Sequence, residues 1–298
     1  MRASFVVSAV ALVTLVGGPA SAESLRMAPA AKAELTRSIA ADRSAHPEAF
    51  ARVAALRGRV VELDAHKRGP LPAVAPLFRK AAPEDFFALA ELGAYGPPDA
   101  ASLSLSAVRA LRAGALEALG RIGDARALPV LRAVLEGDDD DMVVQGAAAE
   151  GLGRLASAES LAVLTRALGG TKPQRIAALR GLAVSHRASA AQELARFAQL
   201  PADAEMRLAT LRALGEVGAA WAVTAPNARA AADAATVRST AARALVNALL
   251  REQGELETGA ADALLLVAAP ETAELLRAAL PGQPAEKRAA VEYVLRRL

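Results

Sequence analysis

The chain has 298 residues, of which 53% are hydrophobic, 22% charged and only 3% aromatic, and its formal net charge is +3. It contains no cysteine, which excludes disulfides, thiolate metal sites and a lipid-modified cysteine. Because positive and negative charges nearly cancel, the composition does not indicate a nucleic-acid partner, which requires a clustered basic face. The apolar residues are mostly Ala, Leu and Val, and strong helix formers dominate after Pro47, so we predict an all-α fold.

The first 22 residues have the organisation of a bacterial secretory signal peptide. Arg2 supplies a positive charge, residues 5–16 are apolar, and residues 20–22 read Ala-Ser-Ala, a small-residue cleavage pattern. The alternative is a membrane anchor, but about 12 apolar residues fall short of the roughly 20 that span a bilayer. We expect cleavage after Ala22, a mature chain in the periplasm or outside the cell, and no membrane insertion after cleavage.

Two segments precede the main part of the chain. Residues 23–44 are expected to be loosely ordered. Residues 45–100 are predicted to form an irregular helical cap, with helical stretches at residues 47–64 and 83–92 and a sharp break at residues 96–99, which read GPPD. Atypical units of this kind are expected at the end of a repeat array.

A Leu-Gly pair and its surroundings recur about every 30 residues beyond residue 100. The anchor leucines are Leu119, Leu152, Leu182, Leu214 and Leu245. Four residues before each anchor the side chain is small, and eight residues before it is mostly apolar. These positions share one face of a helix. The spacing therefore predicts helical hairpins that bury their apolar stripes against neighbouring hairpins.

Each hairpin is expected to consist of a first helix, which carries the anchor Leu, and a second helix. The Gly after the anchor is predicted to end the first helix, because Gly adopts the left-handed cap conformation without a steric penalty. The second helices carry apolar stripes and are expected to line the inner, concave surface. In two successive units these stripes are Leu128, Leu131 and Leu135, and then Leu161, Leu164 and Leu168.

Residues 138–153 read DDDDMVVQGAAAEGLG. An Asp-rich turn followed by Val-Arg, Ala-Ala and Leu-Gly resembles the HEAT repeat, particularly the short bacterial form also seen in bilin-lyase-like proteins; here Gln145 replaces the usual Arg. The resemblance covers residues 107–250 well and is looser toward residue 298. It implies an α-solenoid of stacked antiparallel helix pairs over residues 101–298, ending in a C-terminal cap helix, and such arrays mostly serve as binding surfaces.

No residue pattern supports catalysis or metal binding. The acidic run at residues 138–141 lacks the Gly and Glu of a calcium loop, so Asp141 is interpreted as the cap of a helix that begins at Met142. There is no cysteine, no nucleophile elbow and no phosphate-binding loop. The three histidines lie far apart and lack zinc-ligand spacing: His46, His66 and His186. We therefore expect no enzyme activity, no metal and no cofactor.

Arginines recur at two kinds of position. Those seven residues before an anchor are predicted to form a structural ladder of hydrogen bonds between units: Arg112, Arg175, Arg207 and Arg238. Those on the second helices are candidate partner-binding residues: Arg126, Arg132, Arg166 and Arg196. Because Glu136, Glu159 and Glu193 lie among the second set, ordinary solvated faces are the alternative, and an unbroken basic groove for nucleic acid is not expected.

Trp221 is a further candidate for partner binding. The equivalent positions in the preceding units are polar, which predicts an outward position and an interface residue: Arg126, Glu159 and Ser189. The alternative is burial, because Pro226-Asn227 interrupts the expected stripe and allows local repacking. We expect burial.

The sequence as a whole predicts an exported, monomeric, non-catalytic scaffold that binds a protein or peptide on its concave face. An enzyme or enzyme-maturation factor related to bilin-lyase-like HEAT proteins is the second class, and it requires a pocket with convergent polar groups. A structural component of an envelope complex is the third class, and it requires a large exposed apolar patch.

Overall fold

The computed structural model describes residues 25–137, 141–224 and 228–298. The predicted signal peptide with its cleavage site after Ala22, the residues Asp138 to Asp140 and the pair Pro226-Asn227 lie outside the described residues. Within them every regular element is a helix. The predicted all-α solenoid is confirmed.

An irregular helical segment precedes the repeats. Pro29 and Pro47 begin its two long helices, which suits proline because the first helical N–H has no intrahelical partner. The helices are α1 (Pro29–Ala45), α2 (Pro47–Ala65), α3 (Ala75–Phe78) and α4 (Phe86–Tyr95), with 3₁₀ turns at Pro83–Asp85 and Ala100–Ser102.

Helix α1 corrects the expectation that residues 23–44 are loosely ordered. Leu25 and Ile39 are buried, and α1 packs against α2 and α4. Arg43 places its guanidinium carbon 4.2 Å from the centroid of the Phe50 ring and forms an ion pair with Glu91. The sequence of α1 carries only a weak apolar stripe, so its packing depends on these few contacts and was not evident from periodicity.

The remaining residues form stacked helical hairpins. The first helices are α5 (Leu105–Ile122), α7 (Met142–Leu155), α9 (Lys172–Ser185), α11 (Ala204–Val217) and α14 (Glu255–Val267). The second helices are α6 (Ala127–Leu135), α8 (Ala158–Ala167), α10 (Ala188–Phe197), α13 (Ala228–Arg251) and α15 (Thr272–Ala279). A short helix, α12 (Ala220–Thr224), lies between α11 and α13, and α16 (Ala285–Leu295) packs on α13, α14 and α15 at the end of the stack.

The predicted apolar stripe of the first helices is buried. In α5, Leu111, Ala115 and Leu119 are each no more than 1% exposed. The predicted cap is also confirmed, because the Asp141 carboxylate accepts hydrogen bonds from the backbone N–H of Val143 (3.0 Å) and Val144 (3.4 Å).

The Gly after the anchor does not end the first helix, contrary to the prediction. The left-handed cap residue follows three positions later, at Gly123 after α5, at Ala156 after α7 and at His186 after α9. The cap is therefore not restricted to Gly, and two of the three caps accept a positive φ on a residue with a side chain.

The glycines after the anchors allow the first helices to approach each other closely. A Cβ added to Gly153 of α7 would lie 2.0 Å from the carbonyl oxygen of Gly181 in α9. A Cβ added to Gly120 of α5 would lie 2.5 Å from the Cα of Gly151 in α7. Both distances are far below van der Waals contact, so the backbone of α7 packs directly against those of α5 and α9 only because these positions carry no side chain.

Close packing of the first helices determines which layer is concave. Helix α7 contacts both α5 and α9 extensively, whereas α8 makes few contacts with α6 and α10. An array curves toward its more tightly spaced layer. The first helices therefore form the inner layer and the second helices the outer layer. The prediction that the second helices line the concave surface is wrong, because it ignored the glycines that draw the first helices together.

The fifth predicted segment, anchored at Leu245, does not form an inner helix. It belongs to α13, which packs against α10 in the outer layer, while α14 packs against α11 as the next inner helix. The size of the residues at the contact explains why α14, and not α13, is the inner helix. A Cβ added to Gly215 of α11 would lie 3.0 Å from the Cβ of Ala263 in α14, so this pair permits close approach. Val246, beside the anchor in α13, is too large to permit it.

Asp64, near the end of α2, connects the N-terminal helices to the array. Its carboxylate accepts hydrogen bonds from Lys67 Nζ (2.8 Å), Ser104 Oγ (2.6 Å) and Ser106 Oγ (2.7 Å). These bonds, with Lys67 contributing most, lower the pKa of Asp64 from 3.8 to about 2 because they stabilise its charged form.

The free energy of unfolding of the Asp64→Asn variant is expected to fall less at acidic pH than that of the wild type. Because the folded-state pKa of Asp64 lies below the unfolded-state value, its ionised form stabilises the fold above pH 3.8, and this contribution is lost as the pH falls toward about 2. Urea unfolding at a series of pH values measures the effect. The wild type is expected to lose more stability than Asp64→Asn across this interval, and identical pH dependences would contradict the assignment.

Candidate binding groove

A groove of about 620 Å³ crosses the inner faces of α7, α9 and α11. This surface is termed the inner groove. Its floor is apolar, and its apolar lining residues are Met142, Ile176, Leu179, Ala183, Val184, Leu208, Ala209 and Ala213. Its charged lining residues are Glu150, Arg154, Arg180, Glu205, Arg212 and Glu216.

The helical repeat explains why these residues face the groove. Two residues along a helix correspond to a rotation of about 200°, so positions six before, two before and two after an anchor lie opposite the buried stripe. In α11 these positions are Leu208, Arg212 and Glu216, and in α9 they are Ile176, Arg180 and Val184. The anchor stripe holds each first helix against the core, which leaves this second stripe on the inner surface.

In α5 and α7 the charges of the inner surface form pairs along each helix. Glu117 lies 4.0 Å from Arg121, and Glu150 lies 3.2 Å from Arg154. Burial raises the pKa of Glu117, and the neighbouring Glu150 raises it further. Burial and the neighbouring Arg154 lower the pKa of Arg121. Like charges thus lie side by side on adjacent helices, and each is compensated by a partner one turn away.

In α9 and α11 the pattern is different. Arg180 and Arg212 replace the glutamates two residues before the anchor, and both are exposed. Within the described part of the chain, neither forms an ion pair. The side chain of Arg180 extends to α7: its Nη1 lies 3.3 Å from the position that a Cβ on Gly146 of α7 would occupy. These two arginines were not among the predicted site residues, although their shared position two residues before the anchors could have revealed them.

The structure places the predicted partner-binding arginines on the outer layer, away from the inner groove. Three of them form ion pairs with residues close in sequence. Arg126 binds Asp124 at 2.6 Å, Arg132 binds Glu136 at 2.9 Å, and Arg196 binds Glu193 at 2.7 Å. Arg126 also lies over the rings of Phe86 and Phe87. Arg166 is exposed on α8. These four residues do not converge on a common site.

The four arginines of the predicted ladder make different contacts. Arg112 Nε donates to the carbonyl oxygen of Gly93 in α4 at 3.3 Å. Arg238 Nε donates to the carbonyl oxygen of Val267 in α14 at 3.1 Å. Arg207 instead pairs with Glu252 at 2.7 Å. The Nε of Arg175 is buried and has no hydrogen-bond partner among the described residues. Arg112 and Arg238 therefore each bind a carbonyl group near the end of a neighbouring helix, and the contact does not repeat through the array.

Trp221 is 53% exposed, which corrects the expectation that it is buried. It lies in the short helix α12, and its ring meets that of His186 edge to face with centroids 5.7 Å apart. His186 is held in place because its Nδ1 lies 2.9 Å from the carbonyl oxygen of Val217. The ring therefore rests on the cap of α9 instead of entering the core.

The three histidines lie far apart in the fold. His46 lies near Asp42 and Glu48, His66 contacts the carbonyl oxygen of Glu62, and His186 lies at the end of α9. In residues 25–137, 141–224 and 228–298, no group of three or more His, Asp or Glu side chains could hold a metal ion. Within the same residues, no helix is both long enough and apolar enough to cross a membrane.

One family of known proteins matches part of the repeat array. Residues 102–183 match the family described as HEAT repeats. The complex of CpcE and CpcF of phycocyanin lyase from Nostoc sp. PCC7120 is 22% identical, with 73% of this chain and 94% of that chain covered and a TM-score of 0.35. Human deoxyhypusine hydroxylase in complex with glycerol is 18% identical, with 85% and 97% covered and a TM-score of 0.32. No curated protein matches the chain. Residues 102–183 of the chain are therefore similar to HEAT repeats.

Proposed function

We propose that the protein is an exported, non-catalytic scaffold that binds a protein or peptide in the inner groove. The groove itself is the main support, because it extends across three successive repeats and combines an apolar floor with charged borders. Recognition by a repeat array uses such surfaces, to which each unit contributes a few side chains. Export is supported by the signal-peptide pattern of residues 1–22.

The size and openness of the groove favour a segment of polypeptide as the ligand. A volume of about 620 Å³ along three parallel helices suits an extended or helical peptide whose apolar side chains lie on the floor. The charged borders then determine orientation and specificity more than affinity. Met142, which is 45% exposed, provides an apolar contact at the edge of the groove.

Site-specific photo-crosslinking in the producing cells tests this proposal. A photoreactive amino acid at Met142 is expected to yield discrete protein adducts, because Met142 lines the groove. The same amino acid at Ala162, an exposed position on α8 in the outer layer, is the matched control and is expected to yield few adducts. Fractionation of the cells and the N-terminal sequence of the purified chain test export and cleavage after Ala22.

Two results would contradict the proposal. Equal adduct patterns from Met142 and Ala162 would mean that the groove has no preference for a partner. Absence of adducts from Met142 when the chain is expressed at its natural level would mean that the groove is unoccupied. Retention of residues 1–22 in the purified chain would overturn the export part alone.

A further inference from the structure

The inner groove is lined by three arginines and three glutamates, and two of the arginines form no ion pair within the described residues. Among its charged residues, Glu150 pairs with Arg154 at 3.2 Å. Glu205 pairs at 2.6 Å with Lys172, which also pairs with Asp203 at 3.2 Å. Arg180 and Arg212, on the adjacent helices α9 and α11, have no ion pair within the described part of the chain.

Glu216 is the remaining charged residue of the groove. It lies one turn beyond Arg212 on α11, and within the described residues it forms no ion pair with either arginine. The groove therefore contains two exposed guanidinium groups and one carboxylate that form no ion pair with each other. Two exposed guanidinium groups that form no ion pair, on adjacent helices, provide hydrogen-bond donors that suit an anionic ligand group.

The surroundings of the two arginines are apolar. Ile176 lies one turn before Arg180 on α9, and Leu208 lies one turn before Arg212 on α11; both line the groove and are only partly exposed. An arginine can lay its aliphatic stem along such a surface and keep its guanidinium free for a ligand. A matching ligand needs apolar side chains next to its negative charge.

We propose that the inner groove recognises an acidic amphipathic segment of a partner protein, with Arg180 and Arg212 as its carboxylate contacts. This inference rests on the proposed binding function and specifies the chemistry of the ligand. A guanidinium group binds a carboxylate through two parallel hydrogen bonds, so two guanidinium groups on adjacent helices suit two acidic residues or one carboxylate shared between them. The apolar residues of the segment pack on Ile176 and Leu208.

A nucleic acid fits the groove less well, although its phosphates also bind arginine. Glu150, Glu205 and Glu216 lie among the arginines of the same groove, so it has no continuous basic surface for a phosphate backbone. A short acidic segment places its charge only near the two arginines and needs no such surface.

Selection of short random peptides displayed on phage, with the purified chain as the target, tests the inference. The wild type is expected to enrich peptides in which Asp or Glu alternates with apolar residues. In fluorescence anisotropy, the double variant Arg180→Ala/Arg212→Ala is expected to bind a selected peptide about tenfold more weakly. The matched control is Arg132→Ala/Arg196→Ala, which removes the same charge from the outer layer and is expected to leave the affinity unchanged.

Charge reversal provides a stricter version of the test. The variant Arg180→Glu/Arg212→Glu is expected to enrich peptides with Lys or Arg instead of acidic peptides, because complementarity determines specificity at such positions. Both arginines are exposed, so these variants are expected to retain the circular-dichroism spectrum and the unfolding midpoint of the wild type.

The outcomes separate this inference from the proposed function. One result is that the selection enriches neutral or basic peptides, which bind Leu208→Asp more weakly but bind Arg180→Ala/Arg212→Ala as tightly as the wild type. This result would overturn the acidic ligand and leave the groove as a binding site. Tighter binding of a labelled single-stranded oligonucleotide than of the selected peptides would overturn the inference in favour of nucleic acid. Peptides that bind all these variants equally would show that the groove is not used, which contradicts both proposals.

Discussion

Gly153→Ala is expected to destabilise the protein by about 3 kcal/mol, although alanine is the better helix former. The added Cβ would lie 2.0 Å from the carbonyl oxygen of Gly181 and 2.7 Å from Cγ2 of Val184. The first obstacle belongs to the backbone of α9, so no rotation of a side chain can relieve it. The helices α7 and α9 would have to separate, which would disturb the layer that forms the inner groove. The midpoint of urea unfolding, followed by circular dichroism, measures the loss.

Gly58→Ala is the matched control for this substitution. Gly58 lies inside α2, and a Cβ added there would meet no atom within 4 Å. Removing a glycine from an exposed helix interior is expected to stabilise the protein by about 0.5–1 kcal/mol. The two variants are therefore expected to shift the unfolding midpoint in opposite directions. A Gly153→Ala variant as stable as the wild type would contradict direct backbone packing between α7 and α9.

Lys287→Met is expected to destabilise the protein by about 2–3 kcal/mol. Lys287 is only 8% exposed, and its ammonium group donates to the carbonyl oxygens of Leu249 and Glu252 and to the carboxylate of Glu257. These contacts connect the end of α13 and the start of α14 to α16. Methionine keeps the apolar stem but leaves three acceptors without this donor, so the last hairpin is expected to loosen. Thermal unfolding and amide exchange at α16 measure the effect.

Two further variants make this prediction specific. Lys80→Met removes an exposed lysine after α3, and it is expected to change stability by less than about 0.5 kcal/mol. In the double variant Lys287→Met/Glu257→Gln, the remaining carboxylate is neutralised, so its loss of stability is expected to be smaller than the sum of the two single losses. Additive losses would mean that Lys287 and Glu257 do not act as a pair.

The fold could be predicted because the repeat depends on local spacing. Burial of the stripe through Leu119 and the cap at Asp141 follow from the helical period and from the need to satisfy N–H groups at a helix start. The role of Gly153 could not be read in the same way. A glycine near a helix end is compatible both with a cap and with close packing, and only the position of the neighbouring helix decides between them.

The site was harder to predict than the fold because it depends on which layer is concave. The wrong assignment of the layers directed attention to Arg126 and the other outer arginines, which are compensated by neighbours in sequence. Arg180 and Arg212 were visible in the sequence as members of one repeat position, but their lack of ion pairs is a property of the assembled groove. The exposure of Trp221 likewise depends on the short helix α12, which departs from the repeat.

Cysteine-labelling protection tests most directly whether the inner layer is the occupied surface. The chain has no cysteine, so single cysteines at Met142 and Leu208 in the inner groove, and at Ala162 and Ser189 outside it, report on their own surroundings. Maleimide labelling is compared between the purified chain and the extract of the producing cells. The groove cysteines are expected to react more slowly in the extract, and the other two are expected to react at unchanged rates. Protection confined to Ala162 and Ser189, or no protection at any of the four positions, would contradict a binding groove on the inner layer.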